Sequence, residues 1–202
     1  MPNFKIEHKI SKATRGRLFF SEDFTGYASQ DAIRQSLSRL EKDGVLTRLA
    51  QGIYLKPQID DLLGVIYPKI EDVAKQIAKR DKARIAPTGV YALYTLGLTT
   101  QIPLKITYLT DGSQRDIKIG KSVIKFKKTV PRTFAIKDEL LQLIVQACKE
   151  IGQKNITETF IKQLQPKVQQ LHKNIVAKEL KFAPVWIQKL IQELYNDSNY
   201  VD

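Results

Sequence analysis

The sequence has little cysteine and histidine, which limits its redox and metal chemistry. Cys148 is the single cysteine in 202 residues, so no disulfide can form within the chain. The two histidines, His8 and His172, cannot complete a tetrahedral zinc site with one cysteine unless a carboxylate joins them. We therefore expect no disulfide and no structural metal, and we expect Cys148 to be a buried thiol in a helix.

Long apolar runs and an apolar signal core are also missing. No stretch approaches the roughly 18 apolar residues that a membrane-spanning helix needs, and the start MPNFKIEHK is polar. The hydrophobic fraction of 43% and the charged fraction of 27% are typical of a folded globular protein. The sequence therefore predicts a cytoplasmic protein without a membrane partner.

Catalytic motifs are scarce. Asp111, followed by Asp116 and Lys118, resembles the acid and acid-x-Lys metal site of restriction-type nucleases, but no further carboxylate lies close in sequence. The GKS stretch at 120–122 resembles the end of a phosphate-binding loop, but Arg115 stands where the first glycine is required. Two histidines and one cysteine also supply a nucleophile and base poorly. We predict no enzyme, no catalytic residue, no cofactor and no bound metal.

Positive charge, in contrast, is abundant. The formal net charge is +12 and the isoelectric point is near 9.7. Such an excess favours polyanionic partners such as nucleic acid. Residues 1–60 carry 10 basic and 7 acidic side chains, whereas residues 79–132 carry 12 basic and 3 acidic side chains. The second segment therefore holds most of the excess.

Residues 29–44 have the pattern of a short amphipathic helix, with Ser29 as a candidate N-cap and Gly44 as a candidate C-terminal stop. At about 100° per residue, three apolar side chains fall on one inward face: Ile33, Leu37 and Leu40. The outer surface combines amide, hydroxyl and cationic donors of the kind that contact base edges and phosphates: Arg34, Gln35, Ser38 and Arg39. A solvated helix face without a ligand is the alternative interpretation.

Two short β-prone runs follow, VLTRL and IYLK, separated by a turn that contains Gly52. With a first helix predicted over about residues 4–14 and a very short second one ending near Gly26, the helix over 29–44 is the third. A three-helix unit with an exposed third helix and a basic hairpin is typical of the winged helix-turn-helix, whose recognition helix enters the major groove. Arg48 and Gln51 of the hairpin would then lie beside a phosphate backbone or in the minor groove. We predict a DNA-binding winged helix-turn-helix domain over residues 1–58, and a winged helix that contacts protein is the alternative.

The predicted fold class is α+β, with a second α/β domain over residues 66–202 after a mixed linker. A helix over 70–79 precedes three strands in a small antiparallel sheet, KITYLT, DIKIG and SVIKFKK, and the pattern after Pro131 is helical. Strand alternation predicts a second basic surface made of four lysines: Lys105, Lys118, Lys125 and Lys127. Three interpretations of this face stay open: a solvated surface without a ligand, a second nucleic-acid contact, or a contact for an acidic protein.

The stretch SRLEKDGVLTRLAQGIYLKP, with the preceding LFFSEDF, resembles the N-terminal winged helix of AbiEi-type antitoxins, in which R-[LV]-x-x-G-x-Y follows a Leu- and Arg-rich helix and a glycine. RIAPTGVYALYTLGLTTQIP, ITYLTDG and IKFKKT resemble the same group, so the likeness covers about residues 4–135. It implies a transcriptional autorepressor and antitoxin of a bacterial type IV toxin-antitoxin pair, often linked to phage defence. The implied partners are double-stranded promoter DNA and a nucleotidyltransferase-like toxin.

Carried over by position, the resemblance implies eight DNA-contacting residues: Ser29, Gln30, Arg34, Gln35, Ser38, Arg39, Arg48 and Gln51. It also associates the C-terminal domain with the antitoxic effect. Two functions stay open at this point. The protein is either a DNA-binding autorepressor with an antitoxic role, or an antitoxin that acts mainly by direct contact with its toxin.

Overall fold

The computed structural model describes residues 2–196 and confirms the α+β class. The described residues form eight α-helices and nine short strands. None of the helices within 2–196 has the length and apolar character required to cross a bilayer. The chain divides into two compact units, one of residues up to Ile77 with Ile117–Ser122, and one of Ala78–Asp116 with the residues from Val123 onward. The predicted domain limits, 1–58 and 66–202, stay a prediction.

The first unit begins with two helices that lie on either side of a short strand. Helix α1 spans Pro2–Ser11, strand β1 spans Leu18–Phe20, and a 3₁₀ turn covers Ser21–Phe24. Helix α2 spans Gln30–Lys42, as the cap and stop signals predict. Each of these elements is encoded locally, by an apolar face of helical spacing or by a run of β-prone residues.

A hairpin follows α2 and completes a three-stranded sheet. Strands β2, Thr47–Ala50, and β3, Ile53–Leu55, are antiparallel, and β1 pairs with the other edge of β3. The register shifts between Arg48 and Ala50, which marks a β-bulge. Gly52 occupies the turn with φ of 71°, a conformation that a side chain would disfavour.

The core of this unit is formed by apolar side chains from α1, β1, the 3₁₀ turn, α2 and the hairpin: Ile6, Ile10, Phe19, Phe24, Ile33, Leu37, Leu40, Leu46 and Tyr54. Lys56, at the end of the hairpin, binds the C-terminal end of α1. Its ammonium group donates to the backbone carbonyls of Ile10, Ser11 and Ala13 at 2.9, 2.8 and 2.7 Å. Because the Ile10 and Ser11 carbonyls lie at the negative end of the helix dipole, a cation there is favourable.

The segment interpreted as a linker forms a second hairpin instead. Strands β4, Gln58–Asp60, and β5, Gly64–Ile66, pair antiparallel. The Asp60 carboxylate accepts from the amides of Leu62 and Leu63 at 2.9 and 3.0 Å, and these two bonds lower the pKa of Asp60. The linker prediction overlooked the turn that the Asp60 side chain stabilises. Asp favours such turns because its carboxylate accepts hydrogen bonds from backbone amides two or three residues later. Helix α3, Ile70–Arg80, follows.

The second sheet has four strands: β6 Ile85–Pro87, β7 Lys105–Thr110, β8 Arg115–Ile119 and β9 Ser122–Lys128. Its order is β6-β7-β9-β8, with β6 antiparallel and β9 parallel to β7, so the prediction of an antiparallel sheet is wrong in this respect. Both β7 and β9 carry buried apolar side chains at alternate positions, whereas β8 is mostly polar. The polar strand therefore takes the edge, where backbone and side chains meet water.

Five helices complete the second unit. Helix α4, Val90–Thr95, lies between β6 and β7, and four more follow β9: α5 Glu139–Ile151, α6 Glu158–Val168, α7 Lys173–Glu179 and α8 Val185–Asn196. Their inward faces make one cluster around Leu141, Ile144, Leu164 and Ile191. Cys148 lies fully buried there, and burial raises the pKa of its thiol to about 12, as expected for a packing residue.

Candidate nucleic-acid interface

Both ends of α2 are fixed by local hydrogen bonds. The Ser29 hydroxyl accepts from the Ala32 amide at 3.4 Å, which makes it the N-cap. At the other end Gly44 has φ of 72°, and the Val45 amide donates to the Leu40 carbonyl at 2.9 Å. The helix is therefore held at a defined length, which also fixes which side chains it presents on its exposed side.

One row of α2 faces the β2–β3 hairpin across an open groove of about 530 Å³. Gln30, Arg34 and Ser38 follow each other at four-residue spacing, so they lie on one stripe of the helix. Arg48 and Gln51 of the hairpin line the same groove. Five of the eight residues proposed from the sequence are thus brought together.

The groove has further walls that sequence reasoning missed: Ser21, Glu22, Thr25, Ile33, Gly52 and Tyr54. The 3₁₀ turn reaches the hairpin because the Ser21 amide donates to the Gly52 carbonyl at 3.1 Å. The two segments are distant in sequence, so local patterns do not show that they meet. The sequence pattern R-[LV]-x-x-G-x-Y could have indicated part of this wall. Its glycine and tyrosine are Gly52 and Tyr54, and both line the groove.

The positively charged side chains in the groove have weak ion-pair partners or none among the described residues. Arg34 and Asp31 lie 3.5 Å apart with side chains 71% and 84% exposed, a pair that solvent screens strongly. Arg48 has no ion-pair partner within residues 2–196. Burial raises the pKa of Tyr54, and the nearby Arg48 opposes that shift. The Tyr54 hydroxyl is therefore protonated near neutral pH and can donate a hydrogen bond.

The remaining three predicted residues do not line this groove. Ser29 is engaged as the helix cap. Gln35 is exposed on the adjacent stripe of α2. Arg39 donates to the Glu7 carboxylate of α1 at 2.8 Å, with both side chains about half exposed. Their proposed DNA contacts stay predictions, and for Arg39 the contact would require release from Glu7.

The strand register places three lysines of the second basic surface on one face. Lys105 lies beside Val123, and Lys125 and Lys127 lie beside Thr107 and Leu109, as register partners in the parallel pair. Lys118 is exposed on the edge strand β8. Lys105 lies 3.7 Å from Asp116, whereas the described chain offers no ion-pair partner to Lys125 or Lys127. The cations of this face are thus spread along two strands.

The two acids that resembled a nuclease site are each held by a separate cation. Asp111 accepts from the Arg84 amide at 2.7 Å and from its guanidinium at 2.8 Å. Burial raises the pKa of Asp111, but the hydrogen bonds from Arg84 outweigh it and lower the pKa. Asp116 lies near Lys105. Within residues 2–196, no cluster of three His, Cys, Asp or Glu side chains is placed to hold a metal ion.

The chain was compared with known families, curated proteins and solved structures. A model described as a family of unknown function, DUF6088, matches residues 5–176. No curated protein matches. Among solved structures, the chain is similar to the crystal structure of the Rv2827c protein from Mycobacterium tuberculosis, at 13% identity and a TM-score of 0.51, over 95% of this chain and 74% of that chain. At such low identity this likeness concerns the fold alone.

Proposed function

We propose a function for this chain, which belongs to the DUF6088 family: it is a transcription regulator that binds duplex DNA through a winged helix-turn-helix. In this proposal α2 is the recognition helix and the β2–β3 hairpin is the wing. The observation that carries it is the groove in which Gln30, Arg34 and Ser38 of the helix face Arg48 and Gln51 of the hairpin.

The chemistry of these five side chains supports a nucleic-acid ligand. Guanidinium groups form paired hydrogen bonds with phosphate oxygens and with guanine, and glutamine amides do so with adenine. A serine hydroxyl can contact either a base or a phosphate. Arg34 and Arg48 are therefore assigned to phosphate or guanine contacts, and Gln30 and Gln51 to base edges.

The regulatory role follows from the resemblance to AbiEi-type antitoxins. By analogy with those antitoxins, the bound DNA is the promoter of the gene that encodes this chain. The second domain then has an antitoxic role toward a nucleotidyltransferase-like toxin. The protein would then act by binding rather than by catalysis. Both acids of the nuclease-like motif are engaged with cations, Asp111 with Arg84 and Asp116 with Lys105, which agrees with a binding role.

The test is a salt titration of binding to the duplex upstream of the gene, measured by fluorescence anisotropy. Because each neutralised phosphate contributes a slope of about 0.9 to the fall of log affinity with log salt, the wild type should show a steep line. Arg34→Ala combined with Arg48→Ala should lower the affinity at least about tenfold and reduce the slope by up to roughly 2.

The matched control removes two exposed charges outside the groove, Arg15→Ala with Lys69→Ala, and should change the affinity by less than about threefold. Absence of wild-type binding at 50 mM salt, or equal losses in both double variants, would contradict the recognition-helix assignment. A scrambled duplex of equal composition separates sequence-specific binding from the general attraction of a basic protein.

A second candidate function is direct contact with a toxin. The observation in its favour is the face of β7 and β9 that carries Lys105, Lys125 and Lys127, since the two lysines of β9 have no ion-pair partner within 2–196. A pull-down with the product of the neighbouring gene tests this role. Loss of capture after Lys125→Glu and Lys127→Glu supports it, and no capture by the intact chain argues against it.

A further inference from the structure

The second unit contains a cleft that neither the DNA-binding proposal nor the toxin-contact proposal uses. It has a volume of about 320 Å³ and lies between α5, the 3₁₀ turn Pro131–Phe134 and the segment around Phe182. This volume is near the lower end of the roughly 300–1,000 Å³ typical of small-molecule sites. No acidic side chain lines it. The cleft is therefore a candidate site for a small ligand that is not a cation.

The cleft is lined by the amide of Gln146, whose nitrogen donates to none of the described residues. Gln146 lies on the inward side of α5 and is only 4% exposed, yet it lines the cleft. Its Oε1 accepts from the Thr88 hydroxyl at 3.2 Å, and its N–H groups have no acceptor among the described residues. The Gln146 amide nitrogen is not sealed from solvent, so it can donate into the cleft. A ligand oxygen in the cleft would supply the acceptor.

The mouth of the cleft carries two cations. Arg132 and Lys149 both line it, and within the described chain neither has an ion-pair partner. Partial burial lowers the pKa of the Lys149 amine, because loss of water disfavours the ammonium form. A nearby anion opposes this effect and gains from the reduced screening. The polar side of the cleft is thus made of donors and positive charge.

The other side of the cleft is apolar: Val130 and Phe182 leave carbon surface exposed there, and the nearly buried Ile136 and Val145 also line it. Contact with these side chains favours a ligand that brings carbon surface as well as charge. An inorganic anion would leave this wall uncovered. A neutral apolar molecule would leave the Gln146 donors and both cations unpaired.

We propose that this cleft binds a small organic acid, with its carboxylate toward Gln146, Lys149 and Arg132 and its apolar body against Val130 and Phe182. The inference is independent of the DNA-binding proposal, since it concerns a different ligand and different residues. It assigns the second unit a small-molecule site in addition to its basic sheet face.

Titration calorimetry of the full chain with three probes tests the ligand class: hexanoate, hexanol and inorganic phosphate. We expect saturable hexanoate binding, with a Kd on the order of 0.1–1 mM, and at least tenfold weaker binding of the other two. Equal binding of hexanol shows that the charge is irrelevant, and equal binding of phosphate shows that the apolar wall is irrelevant. Either result, or no saturation by about 50 mM hexanoate, overturns the proposal.

Variants locate the site. Lys149→Met should weaken hexanoate binding at least about tenfold, because it removes the charge and keeps an unbranched side chain. The control Lys154→Met removes an exposed lysine that does not line the cleft and should leave binding within about twofold. Gln146→Leu should also weaken hexanoate binding, and a melting temperature checks that it folds. If Lys149→Met binds hexanoate like the wild type, the site is not this cleft.

Discussion

The two basic regions of the molecule hold their cations differently. Residues 79–132 carry 12 basic side chains against 3 acidic ones, yet several of the cations are engaged. Arg84 is bound to Asp111, Arg80 and Arg115 contact Asp81, and Lys105 lies near Asp116. The groove beside α2 has fewer cations, but Arg34 and Arg48 meet there with amide and hydroxyl donors.

This difference separates charge from recognition. Net charge attracts any polyanion over a distance of about a Debye length and contributes little to the choice of sequence. A groove with amide, hydroxyl and guanidinium donors at fixed positions can distinguish base edges. The region with the larger charge excess is therefore not the region with the better-defined recognition chemistry. Four changes to the protein, each on one side of this comparison, separate the two contributions.

The largest expected effect is on the stability of the unit that contains the groove. Lys56→Met removes three hydrogen bonds from an ammonium group to carbonyls at, and just after, the C-terminal end of α1. We expect a loss of about 2 kcal/mol in the free energy of unfolding, measured by urea denaturation. The control Lys69→Met changes an exposed lysine and should cost less than about 0.5 kcal/mol. Equal values for both variants would show that the Lys56 contacts contribute nothing.

The next effect concerns the shape of the groove. In Gly52→Ala, the new Cβ has φ near +71° and would lie 3.2 Å from the Ser21 Oγ. We expect a cost of about 1–2 kcal/mol and weaker duplex binding, because the groove wall must move. Gly120→Ala is the matched control, with φ near +56° and no atom within 4 Å of its Cβ. It should show a backbone cost of about 1 kcal/mol with unchanged DNA affinity. A parallel loss of affinity in both variants would contradict a specific role for the hairpin tip.

The third effect tests the engaged cations of the second region. Asp111→Asn weakens the contact with Arg84 and should cost about 1 kcal/mol at pH 7, measured by denaturation. The pKa of folded Asp111 is below its ordinary value near 3.9, so the carboxylate stabilises the fold above about pH 4. This contribution disappears as the pH falls through the lower, folded pKa, and the difference between wild type and variant should close there.

Asp116→Asn provides the comparison for that measurement. Its partner Lys105 lies 3.7 Å away and both side chains are about half exposed, so the change should cost less than about 0.5 kcal/mol. A pH-independent gap between the wild type and Asp111→Asn would contradict the assigned role of the Asp111 charge.

The smallest effect concerns the contribution of the lysine face to the proposed DNA binding. Lys125→Gln with Lys127→Gln should lower duplex affinity about threefold at 50 mM salt and less than twofold at 300 mM, as expected for screened, long-range attraction. The control pair Lys154→Gln with Lys162→Gln should behave in the same way. A tenfold loss confined to the first pair would instead identify a second direct DNA contact.

The elements that could be predicted from the sequence are those specified by local interactions. Ser29, Gly44 and the spacing of Ile33 and Leu37 define α2 without reference to the rest of the chain. The hairpin around Gly52 is local in the same sense. The segment after Pro131 is helical as predicted, because apolar spacing determines which side of a helix is buried; its division into four helices was not predicted.

Non-local pairings could not be predicted in this way. The parallel pairing of β7 with β9 depends on how β8 and β9 compete for the position beside β7. In the structure β9 takes that position and the polar strand β8 lies at the edge. Likewise, no local signal shows that Arg39 meets Glu7 while Arg34, five residues earlier, faces the hairpin. Both outcomes depend on which segments pack together, and single-sequence periodicity carries no information about that choice.

The order of the second sheet has a consequence for how the protein is made. Strand β7 leaves the ribosome before β8 and β9, and its pairing edge for β9 stays open until β9 has emerged as well. An open strand edge is a template for pairing with another nascent chain. A translational pause before β9 emerges would prolong this exposure, whereas a pause after its emergence would leave both strands of the central pair available.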